Sequence, residues 1–486
     1  MIRRACVMSL TVALCAAVPC VAAGPVHHQL QVQIQPDAHT LQVLDRVSFR
    51  HAVSADENGA YRVLLHAGLS PRVVTPGWRF ERLEDPVEAG FFGINATTET
   101  VSKNVPLEAY VLTPRENAEE PVEFVYGGEI HHPLATQGEE YQRSFSETPG
   151  IIDSQGVFLA GTSFWVPTFG DGLLTFDLEV SSMQPPWNAV SQGRRSQHEI
   201  LADGSRLTRW KLEHATEEIY LVAGPWNEYT RQADEVEVFV FLRDDDPSLA
   251  QRYLDATARY LVLYEGMLPP YPYASFALVE NFWETGYGMP GFTLLGPRVI
   301  RFPWILTSSY PHELLHNWWG NSVYVDFETG NWCEGLTAYL ADHLFAEQRG
   351  EGATYRRATL KKYTDMVSSG EDFPLSEFGS RNSAATEAVG YGKSLMLFHM
   401  ARRAVGDDDF LAALSLFDRE HRFSRAGFSD IAEAFTDETG GDWVPFIEEW
   451  VERAGAPQLE IREARVEEGL PGEAPWRVAV HLRQVQ

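Results

Sequence analysis

Apolar and polar residues alternate along the first half of the chain, in short segments separated by Gly, Pro, Asp and Asn. A period of two predicts β-strands that bury one face. The clearest examples are Gln29 to Gln35, Tyr61 to Ala67, Leu173 to Val180, Leu207 to Leu212 and Glu218 to Ala223. Hardly any helical period interrupts them. We therefore predict a β-sandwich-like domain over residues 24–232.

The pattern changes from Val236 onward. A strand over Val236 to Arg243 leads into Asp244-Asp245-Asp246-Pro247, whose acidic residues and proline are typical of a helix start. That helix is expected to run to about Met267. Helical periods follow near residues 353–368, 386–404, 407–421, 428–438 and 441–454, and residues 459–486 fit one or two strands. The sequence thus predicts a multidomain α+β fold, with a second, helix-rich domain over residues 233–458 and a C-terminal β segment over residues 459–486.

Length and composition are those of a globular protein with more than one core. The chain has 486 residues, of which 44% are hydrophobic and 12% aromatic, whereas a single hydrophobic core stops growing at roughly 250–300 residues. The formal net charge of −29 repels nucleic-acid phosphates and anionic lipids. We therefore expect no nucleic-acid partner.

The N-terminal segment Met1 to Ala23 has the features of a secretory signal peptide. Arg3 and Arg4 precede an apolar run, and Val21-Ala22-Ala23 supplies small residues before a cut at Gly24. An uncleaved membrane anchor is the alternative, because the run is nearly long enough to span a bilayer. We predict cleavage, a secreted or periplasmic protein, and no stable membrane insertion afterwards.

Candidate chemistry is concentrated in the pentapeptide His312-Glu313-Leu314-Leu315-His316. Two histidines four residues apart lie on one face of a helix, so both imidazoles can reach one metal ion. Glu313 lies about 100° around that helix and can act as a general base on a water molecule beside the metal. Glu334 on a second helix completes a set of two histidines and one glutamate, which is a catalytic zinc pattern. The competing interpretation is an amphipathic helix whose histidines are four apart by chance.

The flanking residues favour the metal. The run Tyr310-Pro311-His312-Glu313-Leu314-Leu315-His316-Asn317-Trp318-Trp319-Gly320-Asn321, with Glu334-Gly335 opening a second amphipathic stretch, resembles the gluzincin aminopeptidases of the alanyl-aminopeptidase and leukotriene-hydrolase type. The resemblance implies a thermolysin-like α/β catalytic domain, one Zn²⁺ per chain and peptide substrates. The glycyl-aminopeptidase zincins are an alternative family, but Asn-Trp-Trp-Gly-Asn after His316 fits the alanyl type better.

The third metal ligand has one alternative candidate, Glu328. Seventeen residues separate His316 from Glu334, one fewer than is usual in the family that the chain resembles. Glu334 still opens a helical period, so we assign the ligand to Glu334 and keep Glu328 as the fallback. Cys333 adjoins the ligand, but neighbours on a helix point about 100° apart. Cys6, Cys15 and Cys20 lie in the predicted signal peptide, so no disulfide is expected, and Cys333 is expected to be a small buried residue.

The resemblance also places a substrate-binding strand. Gly288, Met289, Pro290 and Gly291 lie where the family carries its G-x-M-E-N strand, so Pro290 replaces the glutamate that grips a free α-amine and Gly291 replaces the asparagine. An ammonium ion buried without a carboxylate partner is strongly disfavoured. Relaxed amine recognition is therefore expected, unless Glu280, Glu284 or Glu147 replaces the missing carboxylate.

Two more positions follow from the resemblance and from helical spacing. Tyr391, in Val389-Gly390-Tyr391-Gly392-Lys393-Ser394, matches the tyrosine of the family's Y-E-K-G segment and is expected to donate a hydrogen bond to the oxyanion. A buried tyrosine that merely packs is the alternative. Asp342 or Thr337 could orient a histidine ligand, and the spacing does not choose between them.

The sequence therefore predicts a secreted zinc-dependent metallopeptidase of aminopeptidase type with relaxed recognition of the N-terminal amine. Glu313 and Tyr391 are its predicted catalytic residues, and His312, His316 and Glu334 are its predicted metal ligands. The alternatives are an inactive zinc-containing protein that binds peptides and a zinc hydrolase that acts on other substrates. Retention of both Glu313 and Tyr391 argues against the inactive protein, because binding alone needs neither.

Overall fold

The computed structural model describes residues 26–49, 59–84, 105–136, 146–170, 172–367, 370–468 and 476–485. The predicted signal peptide, residues 1–23, lies outside the described residues. The predicted strands and helices of the remainder are present, and the fold is multidomain α+β, as the sequence predicted.

The first half of the described chain is built from strands. In chain order these are β1 (Val26–Gln35), β2 (Thr40–Ser48), β3 (Tyr61–His66), β4 (Arg72–Val73), β5 (Trp78–Arg82), β6 (Leu107–Pro114), β7 (Val122–Glu129), β8 (Ala135–Thr136), β9 (Ser146–Glu147), β10 (Gly150–Asp153), β11 (Gly156–Leu159), β12 (Leu174–Met183), β13 (Trp187–Val190), β14 (Arg194–Ile200), β15 (Arg206–Thr216) and β16 (Leu221–Pro225). Alternate residues of β1 and β2 are buried, which is the period of two expected from the sequence.

These strands form several sheets that contribute side chains to one apolar core. A seven-stranded sheet has the order β14-β15-β12-β1-β2-β7-β4, a four-stranded sheet the order β10-β11-β16-β13, and a three-stranded sheet the order β3-β6-β5. Strands β8 and β9 form a separate two-stranded sheet. Strand β1 pairs antiparallel with β2, which follows it directly, and in parallel with β12, which is far from it in sequence.

The later strands include the sheet that supports the candidate site. They are β17 (Asn227–Ala233), β18 (Val236–Leu242), β19 (Ser275–Glu280), β20 (Gly286–Met289), β21 (Phe292–Leu295), β22 (Val323–Val325), β23 (Ser424–Ala426), β24 (Gln458–Glu468) and β25 (Trp476–Val485). A five-stranded sheet has the order β17-β18-β19-β21-β20, with β20 at its edge. Strands β24 and β25 pair antiparallel in the region of the predicted C-terminal β segment. The domain limits at 232/233 and 458/459 stay predictions.

Helices follow β18. They are α1 (Pro247–Glu265), α2 (Ser309–Leu315), α3 (Cys333–Ala338), α4 (Leu344–Gln348), α5 (Gly352–Met366), α6 (Ala384–Glu387), α7 (Ser394–Val405), α8 (Asp407–His421), α9 (Phe428–Thr439) and α10 (Val444–Val451). Helix α1 begins as predicted, because the Asp246 side chain accepts a hydrogen bond from the Leu249 N–H at 2.9 Å and Pro247 occupies the first turn. Within the described ranges, no helix combines the length and apolar character needed to cross a membrane.

Candidate metal centre and cleft

Helix α2 carries the first metal-ligand candidates. Tyr310, Leu314 and Leu315 are fully buried and fix the helix in the core. His312 and His316 share the other face, with ring centroids 4.9 Å apart. His316 directly follows the last helical residue, and its N–H still bonds to the His312 carbonyl at 3.2 Å. The helical turn therefore holds both imidazoles side by side.

Glu334 on α3 completes the cluster. Its Oε2 atom lies 3.5 Å from Nε2 of His312 and 3.5 Å from Nε2 of His316. In a tetrahedral site with bonds of about 2.1 Å, ligand atoms lie about 3.4 Å apart. The same Oε2 atom is buried without a hydrogen-bond partner in the described part of the chain. A divalent cation between these three atoms would satisfy that oxygen, so the residues fit a zinc ion.

The outer nitrogen of each imidazole is held by an acceptor. His312 Nδ1 donates to Asp342 Oδ2 at 2.9 Å, and His316 Nδ1 donates to the Trp319 carbonyl at 3.0 Å. Both rings therefore direct the lone pair of Nε2 toward Glu334, as metal ligands do. Asp342 lies in a π-helical turn, Tyr339–His343, between α3 and α4. Thr337 Oγ1 contacts no polar partner in the described residues. Of the two candidates left open by the sequence, Asp342 orients His312.

The two glutamates of the cluster have opposite electrostatic environments. Burial raises the pKa of Glu313, and His312 and His316 offset this only in part, so the pKa stays above its usual value. Burial also acts on Glu334, but the same imidazoles outweigh it and hold its pKa well below the usual range. Carboxyl groups whose pKa values are driven apart take different roles. Glu334 suits a permanently ionised ligand, and Glu313 suits a group that exchanges a proton.

Tyr391 faces the cluster from a second π-helical turn, Ala388–Lys393. Its ring lies 6.4 Å from the His312 ring, with the two planes 12° apart. Burial raises the pKa of Tyr391 and the nearby Glu334 carboxylate raises it further, so the hydroxyl keeps its proton at neutral pH. A protonated hydroxyl at this place can donate a hydrogen bond.

A cleft of about 920 Å³ opens beside the cluster. His312, Glu313 and Tyr391 line it, together with Gly286 and Tyr287 of β20. The structure thus brings the predicted ligand His312, the predicted base and the predicted tyrosine to one cavity, and Glu334 lies 3.5 Å from His312 behind them. A volume of this order is typical of a ligand-binding cleft.

The predicted substrate strand is only partly at the cleft. Gly288 lies against the base, since a Cβ atom added to it would come within 2.8 Å of Glu313 Oε2. Met289, Pro290 and Gly291 are absent from the cleft lining. Pro290 and Gly291 connect β20 to β21 in a two-residue turn, and Gly291 has a φ of +77°. Proline followed by a glycine of positive φ is the sequence of a type II turn, which gives both residues a structural reason to be there.

The glutamates proposed as substitute amine anchors are in different positions. Glu280 is buried and paired with Arg301 at 2.5 Å, away from the cleft. Glu284 lines the cleft, but its Oε1 accepts hydrogen bonds from the N–H and the Nε of Arg298 at 3.0 and 2.8 Å. Glu147 lines the cleft from β9. Glu280 is therefore removed from the set by its position.

The remaining neighbours of the cluster agree with the sequence analysis. Glu328, the fallback ligand, is exposed in the turn after β22 and is not part of the His312, His316 and Glu334 group. Cys333 is a buried free thiol, as predicted. Burial, with Glu334 next in effect, raises the pKa of this thiol well above its usual value. Cys333 is therefore a packing residue.

Sequence reasoning missed several residues that line the cleft. The Arg381 guanidinium lies 5.6 Å from the Tyr391 ring centroid, and Lys362 pairs with Glu387 at 2.5 Å. The rings of Phe302 and Trp304 stack at 4.5 Å, and the exposed Trp304 also lines the cleft. No local motif marks these positions, because they are spread over several connecting segments and helices.

Comparison with known proteins agrees with this geometry. Residues 307–450 match the peptidase family M1 domain. The chain is 23% identical over 248 residues to the alanine/arginine aminopeptidase of Saccharomyces cerevisiae, covering 47% of this chain and 29% of that protein. It is 26% identical over 156 residues to an aminopeptidase N of Lactococcus lactis subsp. lactis, covering 30% and 18%. The chain spans about a third or less of the length of these relatives.

Solved structures share the fold over most of the chain. An M1 zinc metallopeptidase from Deinococcus radiodurans superposes with a TM-score of 0.62 and 18% identity, covering 90% of this chain and 94% of that one. A mutant of that enzyme bound to a Tyr-Ser-Ala substrate gives a TM-score of 0.62 at 17% identity, covering 90% and 95%. At such identities the likeness shows the fold. The chain therefore contains a peptidase family M1 domain at residues 307–450, and the cluster of His312, His316 and Glu334 lies within that domain.

Proposed function

We propose that this chain is a zinc-dependent metallopeptidase that hydrolyses peptide bonds, of aminopeptidase type and with relaxed recognition of the substrate's N-terminal amine. One observation carries the proposal: Glu334 Oε2 lies 3.5 Å from Nε2 of both His312 and His316, next to Glu313 and to the cleft that Tyr391 also lines. Metal binding alone would need neither Glu313 nor Tyr391 at that position.

The three converging residues would hold the metal, and the other two would handle protons and charge. A bound zinc ion polarises a carbonyl group and lowers the pKa of a nearby water molecule. Glu313 takes a proton from the attacking water and later delivers it to the leaving amine. The Tyr391 hydroxyl donates a hydrogen bond to the oxygen that becomes negative during attack. Asp342 keeps His312 in the tautomer that points Nε2 inward.

Strand β20 is the surface on which we expect a peptide to lie. It forms the edge of the five-stranded sheet, and its residues Gly286 and Tyr287 line the cleft. An edge strand offers backbone N–H and C=O groups to an extended peptide, which adds a further strand. The bound tripeptide of the Deinococcus radiodurans mutant supports peptides as the substrate class.

Relaxed amine recognition rests on the residues along that strand. Pro290 stands in a turn that does not line the cleft, and no glutamate occupies its place. Glu284 lines the cleft but is engaged by Arg298, and Glu147 also lines the cleft. Without a dedicated anchor, an N-terminal ammonium ion gains little over a neutral amide.

We also propose that the protein acts in a secreted or periplasmic location. The support is the segment Met1 to Ala23, with two arginines, an apolar run and small residues before Gly24. Expression of the full chain followed by N-terminal sequencing of the exported protein tests this. A mature N-terminus near Gly24 is expected, whereas retention of Met1 in the cytoplasm would contradict it.

Digestion of a mixed peptide pool, read by mass spectrometry, tests the function. We expect zinc-loaded protein to shorten peptides, and Glu313→Gln protein with the same zinc content to leave them intact. An inert zinc-loaded wild type would overturn the proposal in favour of a peptide-binding protein or a hydrolase of other substrates.

The same digest compares free and N-acetylated versions of each peptide. We expect kcat/KM values within about tenfold of each other, a difference of under about 1.4 kcal/mol. Loss of a buried charge-assisted pair would instead cost about 2–5 kcal/mol. A hundredfold preference for free amines would contradict relaxed recognition. Glu147→Gln and Glu284→Gln would then identify which carboxylate binds the amine.

A further inference from the structure

A second cluster of metal-ligating side chains lies in the N-terminal β region, outside the cleft. His39 precedes β2, His131 follows β7, and Asp153 ends β10. One ring nitrogen from each histidine and one carboxylate oxygen of Asp153 lie within 4.8 Å of one another. None of the three lines the cleft. All three are partly buried, so solvent and ions can reach them.

Both imidazoles of this cluster are oriented by one backbone carbonyl. His39 Nδ1 lies 2.7 Å and His131 Nδ1 lies 3.2 Å from the oxygen of Ile152. A carbonyl oxygen accepts and cannot donate, so each neutral ring carries its proton on Nδ1 and keeps a lone pair on Nε2. His316 of the catalytic cluster is held by a backbone carbonyl in the same way. Such a contact fixes the tautomer of a metal-ligating histidine.

Asp153 has one oxygen to offer. Its Oδ1 accepts the Gln155 N–H at 2.9 Å within the β10–β11 turn. This bond engages Oδ1, so Oδ2 can still coordinate a cation. Two imidazole nitrogens and one carboxylate oxygen suit Zn²⁺ and related divalent transition metals, whereas Ca²⁺ and Mg²⁺ prefer all-oxygen sites.

A neighbouring histidine pair, His66 and His132, serves as a comparison, because its two rings need no cation to satisfy their hydrogen-bonding groups. The Gly68 N–H donates to His66 Nδ1, so the proton of His66 is on Nε2, and that atom lies 2.9 Å from His132 Nε2. The two rings satisfy each other. Burial, followed by the charge of His132, lowers the pKa of His66 to about 4, which keeps the pair neutral. His39 and His131 do not pair in this way, since both point Nδ1 at the same carbonyl.

We propose that His39, His131 and Asp153 form a second divalent-metal site, specific for zinc-like cations and separate from the catalytic centre. Its ligands come from three chain segments, and the cation crosslinks the β1–β2 connection, the exit of β7 and the β10–β11 hairpin. With three protein ligands, one coordination position remains for water. The site therefore binds more weakly than a closed four-ligand site.

Occupancy of this site has a structural consequence next to the cleft. Asp153 begins the turn of the β10–β11 hairpin, and this turn contacts the segment after β18. The Gln155 carbonyl in the turn accepts a hydrogen bond from Arg243 at 2.8 Å. A Cβ atom added to Gly156 would come within 2.4 Å of the Phe282 ring, so hairpin and loop are in tight contact. Phe282 lies two residues before Glu284, which lines the cleft. A cation that fixes the hairpin thus stabilises this contact in the folded state.

Zinc titration of the chelator-treated full-length protein tests the proposal. Bound zinc is counted by elemental analysis after rapid desalting and by native mass spectrometry. We expect two equivalents per chain in the wild type, one in His131→Gln and one in Asp153→Asn. The Asp153→Asn variant keeps an oxygen that can accept the Gln155 N–H, so the turn is retained. His132→Gln is the matched control and should still bind two.

A variant of the catalytic centre provides an independent comparison in the same titration. His316→Ala should lose the other equivalent, and its combination with Asp153→Asn should lose both, so failure of either site is distinguishable. Circular dichroism confirms folding, and His39→Gln replaces His131→Gln if that variant does not fold. A single equivalent in the wild type that is lost in His316→Ala, or a second equivalent that persists in Asp153→Asn and in the folded histidine variant, would overturn the proposal. Zinc should also raise the Tm of His316→Ala, and this shift should vanish once Asp153→Asn is added.

Discussion

Removal of the Asp342 carboxylate should weaken zinc binding at the catalytic centre. His312 Nδ1 donates to Asp342 Oδ2 at 2.9 Å, and this bond fixes both the tautomer and the direction of the ring. Loss of such an orienting partner usually costs 10–100-fold in metal affinity, about 1.4–2.8 kcal/mol. We expect about tenfold for Asp342→Asn, which keeps an acceptor but loses the charge, and about 100-fold for Asp342→Ala.

Thr337→Val is the matched control. Thr337 is fully buried on the neighbouring helix, and its hydroxyl has no polar partner in the described part of the chain. Valine has nearly the same shape, so zinc affinity should change by less than about twofold. The affinity of the tightest zinc equivalent is measured by competition with a chromophoric chelator at fixed pH.

Two results would refute this reasoning. Zinc affinity of Asp342→Ala within about twofold of the wild type would mean that packing alone orients His312. An equal loss in Thr337→Val would mean that the helix, and not the carboxylate, determines affinity. His316 offers no parallel test by side-chain substitution, because its acceptor is the Trp319 backbone carbonyl.

Further predictions concern chemistry, close packing and pH. Glu313→Gln should keep zinc and the fold but lower kcat by about 10³-fold, measured with a peptide substrate, and unchanged turnover would exclude it as the base. Tyr391→Phe should lower kcat about 10²-fold with KM within a few-fold, and a raised KM at constant kcat would instead assign it to ground-state binding. Gly288→Ala places a methyl group 2.8 Å from Glu313 Oε2 and should reduce kcat at least tenfold, whereas Gly172→Ala, with open space around it, should be silent in the same assay. His66 has a folded pKa of about 4, below the unfolded value of 6.5, so its contribution to stability is complete above pH 6.5 and is lost as pH falls toward 4. The unfolding midpoint should fall less over that range in His66→Gln, and equal pH dependence in both proteins would contradict it.

Local periodicity was enough to predict much of this molecule. The alternation in β1 and β2 and the capped start of α1 depend on residues close together in sequence. The pairing of His312 with His316 is of the same kind, because four residues nearly complete one helical turn. Glu334 could be proposed as the third ligand from the sequence, because it opens a helix with a recognisable apolar period.

Contacts between distant segments required the tertiary structure. Sequence spacing did not distinguish Asp342 from Thr337, since the direction of each side chain depends on how α3, the π-helical turn and α2 pack. It also could not separate Glu280, buried against Arg301, from Glu147 at the cleft.

The second metal cluster shows the same limit most clearly. His39, His131 and Asp153 share no motif and come from three separate chain segments at the ends of strands, yet sheet pairing brings them around the Ile152 carbonyl. The sequence by itself determined the helical ligand pair and the strand alternation, because neighbours along the chain fix those geometries. Only the packing of separate elements decided which distant groups meet, because no short-range period encodes it.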